Sequence, residues 1–222
     1  MRKVLNELES GRLLRRYGIP VVRSEVLTSG EEKVLEEAAE KLGFPVAMKI
    51  LSDDIQHKTD LGCVRLKINS VAEMSGAYEE ILANAKAGAP KADIQGVLVQ
   101  QMLPDGFEVL MGVSTDPQFG PVIMVGLGGI YVELLQAVSL RMLPIGRRDA
   151  EEMIEETPLA KVYREGLRGV HYDKEELTSA LLCLSRLVSE HPEIAEIDVN
   201  PFLLFGEGKK AVGVDAMVVI HE

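Results

Sequence analysis

The amino-acid sequence predicts an α+β protein with two lobes, mainly antiparallel sheets and a cleft between the lobes. The strict strand–helix alternation that marks a doubly wound parallel sheet is missing from the chain. Segments such as 63–68 and 107–114 instead alternate apolar and polar residues, which predicts strands. A Pro-Asp-Gly turn at 104–106 is the best boundary, so we expect one lobe over 1–103, including an N-terminal helix, and the other over 104–222.

Apolar residues recur at helical spacing in three parts of the first lobe. The second of these helices is preceded by Ser29 and Glu32, which form the pattern of a capping box. Apolar segments between the helices predict strands, two of which form a hairpin-like unit around a polar loop. The expected elements are helices at 4–17, 34–42 and 71–85 and strands at 46–51, 63–68 and 96–102.

The second lobe is predicted to contain more strand than the first. Residues 149–190 between its strands are expected to be mainly helical, with breaks at Pro158 and Gly169. The expected strands are at 107–114, 121–129 and 138–145, followed after the helical region by a terminal pair at 195–205 and 210–220.

Composition limits the class of protein. The chain has 222 residues, 46% of them hydrophobic, and 24 basic against 35 acidic residues give a net charge of −11. A nucleic-acid binder would need a basic face, and no apolar run is long enough for a membrane span. Two cysteines and a charged N-terminus unlike a signal peptide favour a cytoplasmic protein.

Two charged residues occur within predicted strands. Lys49 lies inside the apolar segment VAMKIL, and a lysine in a buried strand must have its charge paired or solvated. Either Lys49 faces a cleft and binds phosphate, or it lies on an edge strand and its ammonium group reaches solvent. Glu108, a single acid in an alternating strand, is by itself best explained by exposure to solvent.

The segment GLGG at 126–129 follows a predicted strand. Glycines let a backbone approach phosphate oxygens closely, and a helix N-terminus favours a bound anion. The segment is neither a full dinucleotide fingerprint nor a phosphate loop with its lysine. Taken alone, it is better explained as a plain strand-to-helix turn.

The segment EIDVNP at 196–201 is a candidate metal site. Asp198 and Asn200 point to the same face of a strand, and Asp215 interrupts the apolar strand that follows. Oxygen ligands of this kind suit Mg²⁺, which uses few protein groups and keeps several waters. An Asx turn is the alternative, because Asn-Pro often starts a turn, but it does not explain Asp215.

His57 lies in the polar run IQHKTDLG between two apolar segments. A histidine can accept a phosphoryl group on a ring nitrogen and pass it on, which is covalent catalysis. Local evidence favours the simpler interpretation of a solvated loop histidine, since binding and catalytic loops are a minority of all loops.

Together these segments resemble a known family. GFPVAMKI, HKTDLG, the long block at 106–145 and AEIDVNPF are similar to the ATP-grasp β subunit of ADP-forming acyl-CoA synthetases, the acetate–CoA ligase type of archaea. The resemblance covers nearly the whole chain, and a more distant one links it to the nucleotide-binding part of the succinyl-CoA synthetase β subunit. The resemblance implies the ATP-grasp fold with the nucleotide in the cleft, and the chain length fits a stand-alone β subunit.

An activity follows from the resemblance. The family converts acyl-CoA, ADP and phosphate into free acid, CoA and ATP, reversibly and with Mg²⁺. A partner α subunit is expected to bind CoA and the acyl group and to carry the first phosphohistidine, in an assembly of two copies of each chain. The implied ligands of this chain are therefore Mg²⁺ and ATP or ADP, with phosphate as a small-molecule partner.

The resemblance also implies roles for individual residues. His57 matches the histidine that is phosphorylated in turn and carries the phosphoryl group to ADP. Lys49 matches the strand lysine that holds nucleotide phosphates, and Glu108 matches an acid of the nucleotide cleft. The segment that contacts adenine, largely through its backbone, is matched by Val99, Gln100, Gln101 and Met102. The Mg²⁺ ligands are matched by Asp198, Asn200 and Asp215, and the lining of the phosphoryl-transfer site by Gly126, Gly128, Gly129, Glu133 and Arg141.

Two positions depart from the family pattern, and one rival function remains. Cys63 stands where a second glycine usually follows Gly62, which puts the mobility of the His57 loop in question. Gln101 stands where an acid is common, which removes one charge beside the expected ribose. The rival is a nucleotide-sensing regulatory ATP-grasp module of the kind associated with acetyltransferases.

Overall fold

The computed structural model describes residues 2–55, 57–129, 137–206 and 208–221. These residues belong to two units, one formed by 22–104 and the other by 1–21 together with 105–222. The expected division placed the N-terminal helix in the first lobe, whereas here it belongs with the C-terminal part. The physical reason is strand β1 (Arg2–Leu5), which pairs antiparallel with β11 (Ala216–His221).

The unit at 22–104 contains a four-stranded antiparallel sheet with two helices on one face. The strand order is β2-β5-β3-β4. Met48, Ile50, Val97 and Val99 are buried against the helices because alternate strand residues share a face. The elements are β2 (Ser24–Leu27), α2 (Glu32–Leu42), β3 (Val46–Leu51), β4 (Val64–Ile68), α3 (Val71–Gly88) and β5 (Gly96–Gln101).

The other unit contains a seven-stranded antiparallel sheet. Its order is β1-β11-β9-β6-β7-β8, with the short β10 paired to β9. The strands other than β1 and β11 are β6 (Phe107–Asp116), β7 (Gly120–Leu127), β8 (Val138–Met142), β9 (Ile194–Leu204) and β10 (Val212–Gly213). The helices are α1 (Glu7–Arg16), α4 (Arg147–Glu155), α5 (Leu159–Glu165) and α6 (Lys174–Glu190).

One face of the seven-stranded sheet is covered by helices and forms the core of this unit. Val109, Met111 and Val113 of β6 alternate into it, beside Ile123 of β7 and Ile197 of β9. The residues at the intervening positions of β6, such as Glu108 and Gly112, therefore lie on the other face of the sheet. The predicted α+β architecture with mainly antiparallel sheets is confirmed.

Two local expectations were wrong. The helix expected at 4–17 begins only at Glu7, because Asn6 caps it by accepting from the Glu9 amide and the preceding residues form β1. Ser29 does not cap α2: Glu31 is the N-cap and no side chain caps it. The helical region after β8 is interrupted at Pro158, as expected. No helix within the described ranges is long and apolar enough to cross a membrane.

Candidate functional site

Lys49 lies at the centre of β3, on the face of the sheet that α2 and α3 do not cover. It is half-buried and stands opposite Val64 of β4 and Leu98 of β5 in register. Its neighbours at alternate positions of β3 are Ala47 and Leu51, both buried and apolar. Lys49 is thus not an edge-strand residue, because β3 is paired on both sides. The edge-strand alternative therefore does not apply, and the face that carries Lys49 also carries the buried Gln100, opposite Ala47.

His57 is exposed at the start of a compact turn. The Gly62 amide donates to the Thr59 carbonyl at 3.0 Å, and the Cys63 amide donates to the Lys58 carbonyl at 2.8 Å. These two bonds, with Gly62 at φ +64, form the Schellman arrangement that normally ends a helix. Residues 58–63 therefore form a single closed turn, and His57 directly precedes it.

Cys63 does not strain this turn. Only Gly62 needs the left-handed conformation that favours glycine, whereas Cys63 is absent from the residues with positive φ in the described chain. Its side chain is fully buried, burial raises the pKa of its thiol, and its carbonyl accepts from the Ile50 amide at 3.0 Å. Cys63 directly precedes β4, and a side chain at this position needs no backbone conformation that favours glycine.

The candidate adenine segment lies at the end of β5. Val99 and Gln100 are buried, and Gln101 and Met102 are partly exposed. The Gln101 amide donates to the Arg23 carbonyl and the Met102 amide donates to the Pro45 carbonyl, both at 3.0 Å. A purine that used either amide as a donor would have to displace one of these bonds. Gln101 stands at the position where the family often has an acid. Its side-chain oxygen accepts a hydrogen bond from the Arg23 guanidinium at 3.3 Å.

Glu108 and the glycine segment are brought together by the pairing of β6 with β7. The Gly128 amide donates to the Glu108 carbonyl at 2.9 Å. A Cβ on Gly128 would lie 2.8 Å from the Glu108 carbonyl carbon, and a Cβ on Gly129 would contact the Glu108 carboxylate. Gly126 is also closely packed, since its Cβ would lie 2.6 Å from the Ala137 carbonyl oxygen. The glycines therefore allow the chain to pass directly over Glu108.

Two of the predicted metal ligands, Asn200 and Asp215, meet through their backbones where β9 approaches β11. Asp198 stands opposite Met217 in register, and the Asn200 amide donates to the Asp215 carbonyl at 3.3 Å. Asp198 is half-buried, while Asn200 and Asp215 are exposed. Burial, with smaller contributions from the charges of Glu196 and Asp215, raises the pKa of Asp198. The acids are thus close enough to repel one another.

Glu196 is a member of this acidic group that the sequence argument missed. It lies two residues before Asp198 on β9, so the two side chains share a face. The rule that alternate residues of a strand share a face, which predicts Asp198 and Asn200 on one side, also predicts Glu196 there. This face also carries Gly112, opposite Asp198, and continues along β6 to Glu108. Glu108 and Gly112 are four residues apart on β6, which corresponds to a distance of about 13 Å along the strand.

Arg141 is not on that face. It pairs with Ile123 of β7, which is buried in the helix-covered core, so its side chain leaves the sheet on the helix side. There its guanidinium forms an ion pair with Glu156, which also accepts from the Ser139 hydroxyl at 2.7 Å. The structure therefore separates Arg141 from Asp198 and Glu108. Glu133, the other expected catalytic residue, lies outside the described residues.

Comparison with known proteins identifies the family. The ATP-grasp domain model matches residues 1–220. The chain is 42% identical over 224 residues to the β subunit of acetate–CoA ligase [ADP-forming] II of Pyrococcus furiosus, which is 99% of this chain and 92% of that subunit. The chain belongs to the ATP-grasp β subunits of ADP-forming acetate–CoA ligases. Relatives named as β subunits imply an α partner.

Other members of the family are longer. Acetate–CoA ligase [ADP-forming] I of Archaeoglobus fulgidus is 43% identical over 223 residues, which are 97% of this chain. The present chain spans only 32% of that protein, about a third of its length. The β subunit thus corresponds to one part of a larger ligase in that organism.

Solved structures of one relative show the same fold. The dinucleotide forming acetyl-coenzyme A synthetase 1 of Ca. Korarchaeum cryptofilum, in complex with coenzyme A, Ca-AMPCP and HgCl⁺, is 40% identical with a TM-score of 0.89, covering 99% of this chain and 94% of that chain. A second structure of that protein contains coenzyme A and Mg-AMPPCP, with a phosphohistidine segment pointing towards the nucleotide-binding site. It is 37% identical with a TM-score of 0.83 and covers 99% of this chain and 93% of that chain. The predicted ATP-grasp fold is therefore confirmed.

Proposed function

We propose that this chain is the nucleotide-binding β subunit of an ADP-forming acyl-CoA ligase. It interconverts acyl-CoA, ADP and phosphate with free acid, CoA and ATP, together with an α subunit. The single observation that carries the proposal is the similarity to a named β subunit over 99% of the chain. His57, exposed at the start of a closed turn, supports it from the geometry.

His57 is the phosphoryl carrier of this chain. In the direction of ATP formation, a ring nitrogen of His57 attacks the phosphorus of a phosphohistidine on the partner, and the partner's P–N bond breaks as the new one forms. An oxygen of the ADP β-phosphate then attacks the same phosphorus, which releases the neutral imidazole and forms ATP. An exposed imidazole is required for both steps, because the partner's phosphohistidine must reach the ring nitrogen and ADP must reach the phosphorus bound to it.

Each unit by itself contains residues that we assign to nucleotide binding. In the unit at 22–104, Lys49 places a cation between Ala47 and Leu51 on β3 and binds the nucleotide phosphates as a point charge. The end of β5, from Val99 to Met102, contacts the adenine. In the other unit, Glu108 and the glycine segment 126–129 line the nucleotide site. Phosphoryl transfer depends chiefly on such positioned charges.

Asp198, Asn200 and Asp215 fit a Mg²⁺ ion. They offer two carboxylates and one amide oxygen, which is a donor set of the type this ion prefers. Within the described part of the chain, no three His, Cys, Asp or Glu side chains are grouped as a metal centre, so a bound Mg²⁺ would keep water and phosphate ligands as well. The raised pKa of Asp198 fits the same conclusion, because a cation relieves the repulsion among the acids. When bound, Mg²⁺ bridges the phosphates and offsets their charge.

Two parts of the expected scheme concern the rest of the enzyme. The α subunit binds CoA and the acyl group, carries the first phosphohistidine, and assembles as two copies with two of this chain. We propose a cytoplasmic location for the complex. Glu133 keeps its expected catalytic role in this scheme, whereas Arg141 serves the ion pair with Glu156 and is assigned no contact with the nucleotide.

Reconstitution tests the proposal. The chain is co-purified with a candidate α subunit, and ATP formation is measured from acetyl-CoA, ADP and phosphate. His57→Ala should lower the rate by roughly a thousandfold or more while ADP still binds, and His221→Ala, at an exposed histidine of β11, should keep the wild-type rate. Full activity of His57→Ala would contradict the relay. Nucleotide binding without ATP formation by any α partner would favour the nucleotide-sensing module instead.

A further inference from the structure

The turn that follows His57 is docked on one face of α3. The Gly62 carbonyl accepts from the Asn84 side-chain amide at 2.9 Å. The Cys63 thiol faces the Ile81 carbonyl at 3.9 Å. Leu61 lies over Gly88, where an added Cβ would come within 2.7 Å of the leucine Cδ2.

The three docking positions form one helical stripe. Ile81, Asn84 and Gly88 are spaced by three and four residues, so they lie above one another on the same side of α3. Each of them contacts a different residue of the turn: Ile81 contacts Cys63, Asn84 contacts Gly62, and Gly88 contacts Leu61. The turn therefore runs antiparallel to the helix. The turn therefore lies along the helix for about 10 Å, since seven residues of helix span that length.

The other end of the loop is held separately. Ile55 is only 3% exposed and belongs to the core of the unit. The Asp54 carboxylate accepts from the Asp93 amide at 2.7 Å. His57 therefore lies between an anchor at its N-terminal side and the docked turn at its C-terminal side.

Asn84 and Gly88 are not there for the helix itself. In a helix interior, asparagine and glycine are less favourable than alanine. The penalty is smaller for Gly88, which is the last residue of α3. Asparagine is disfavoured because its side chain bonds to backbone groups, and here it bonds to the Gly62 carbonyl, outside the helix. Gly88 leaves the room that Leu61 fills. Both residues are explained by the turn.

We propose that Asn84 is a positioning residue for His57, and that Ile81, Asn84 and Gly88 form a dock that holds the turn 58–63 on α3. This inference rests on the proposed role of His57 as phosphoryl carrier. The dock fixes the backbone directly after His57. The imidazole then changes its direction mainly by its own side-chain torsions, while the turn stays in place.

Thiol labelling measures the dock without any enzyme assay. Cys63 is fully buried, and Cys183 is removed by Cys183→Ser so that a thiol reagent reports only on position 63. Opening of the turn exposes the thiol, and the labelling rate follows the open fraction. Asn84→Asp keeps the size of the side chain but cannot donate to the Gly62 carbonyl. Its labelling rate should rise about fivefold, the factor for loss of one net hydrogen bond of about 1 kcal/mol.

The matched control is Lys86→Ala, at an exposed position of the same helix, which should label at the parent rate. Global unfolding by denaturant is measured for every variant. Faster labelling of Asn84→Asp at an unchanged unfolding midpoint supports the dock. An unchanged labelling rate overturns it, and so does a rise that is matched by an equal loss of global stability, because the hydrogen bond would then serve the whole unit.

Gly88→Ala is the second variant. Alanine improves the helix, so folding is maintained, but its Cβ displaces Leu61. In the complex with the α subunit, both Asn84→Asp and Gly88→Ala should lower the rate of phosphoryl transfer through His57 severalfold and leave the KM for ADP unchanged. Wild-type transfer rates in both variants would overturn the positioning role. Failure of the proposed function is recognised separately, because His57→Ala would then stay active. The labelling rate of Asn84→Asp would still test whether Asn84 holds the turn.

Discussion

Replacing Asp198 by asparagine is expected to stabilise the protein without ligands and to weaken its response to Mg²⁺. Asp198 is half-buried on β9, and burial together with the charges of Glu196 and Asp215 raises the pKa of its carboxyl group. At neutral pH the ionised carboxylate is therefore less stable in the folded chain than in the unfolded chain. Asparagine has nearly the same shape and no charge, so the substitution removes that repulsion.

Burial is the main cause of the raised pKa, and the added contribution of the nearest charge follows from the spacing along the strand. Glu196 and Asp198 are two residues apart on β9, which separates them by about 6.6 Å. Two charges at that distance repel by about 0.6 kcal/mol in water and about 2.5 kcal/mol at an effective dielectric constant of 20. Partial exposure of both side chains favours the lower part of this range, about 1 kcal/mol. The melting temperature of Asp198→Asn should accordingly rise by about 2–4 °C.

The pH dependence has a definite sign. A carboxyl group whose pKa is raised in the folded state binds its proton more tightly there than in the unfolded state. Stability of the wild type is therefore lowered above the folded pKa and recovers as the pH falls through it. The advantage of Asp198→Asn should be largest near neutral pH and should disappear in acid, where Asp198 is protonated.

Thermal unfolding of both proteins, with and without Mg²⁺ and ADP, measures these effects. Wild type at a hundredfold excess of ligand over its Kd should gain about 2.7 kcal/mol. Asp198→Asn should gain clearly less at the same concentrations, whereas Glu37→Gln, at an exposed position of α2, should match the wild type in every condition. A lower melting temperature of Asp198→Asn without ligand, or an undiminished gain with Mg²⁺ and ADP, would refute the reasoning.

Three further substitutions test other parts of the site. Lys49→Ala should weaken ADP binding about tenfold to a hundredfold in calorimetry, because one charge-assisted contact is lost, and an unchanged Kd would reject the phosphate contact. Gly128→Ala should lower the melting temperature and ADP affinity together, since its Cβ would lie 2.8 Å from the backbone of β6. Gly76→Ala, with nothing within 4 Å of the added Cβ, is its control and should stabilise α3. Arg141→Gln should leave ADP binding unchanged but lower the melting temperature near neutral pH. The Arg141 guanidinium lowers the pKa of Glu156, so the stabilisation is lost as the pH falls and the difference between the two proteins should shrink in acid.

Much of the sheet architecture is predictable from local pattern. Val109, Met111 and Val113 correctly predict a strand and are buried, although Leu110 and Gly112 on its other face are buried as well. The period of two in EIDVNP brings Asp198 and Asn200 to one side of β9. Such features depend only on neighbours along the chain, which is why one sequence is enough to predict them.

Features that depend on pairing between distant segments are not predictable in this way. Strand β1 carries no alternating apolar signal, and it forms only because Arg2–Leu5 meets β11 at the far end of the chain. The side of the sheet taken by Arg141 depends on its register with Ile123. The support of the His57 turn comes from Asn84, which lies 22 residues beyond the Gly62 carbonyl that it binds. No local spacing in the sequence indicates these contacts.

Detection of a phosphoryl group on His57 is the most direct test of the proposed relay. The chain is incubated with Mg²⁺ and ATP, kept at alkaline pH to preserve phosphohistidine, and analysed by tandem mass spectrometry before and after addition of ADP. We predict one phosphoryl group on His57, its loss on addition of ADP with formation of ATP, and no such group in His57→Ala. An unmodified His57 under conditions in which ATP binds, or equal labelling of His57→Ala, would contradict the account.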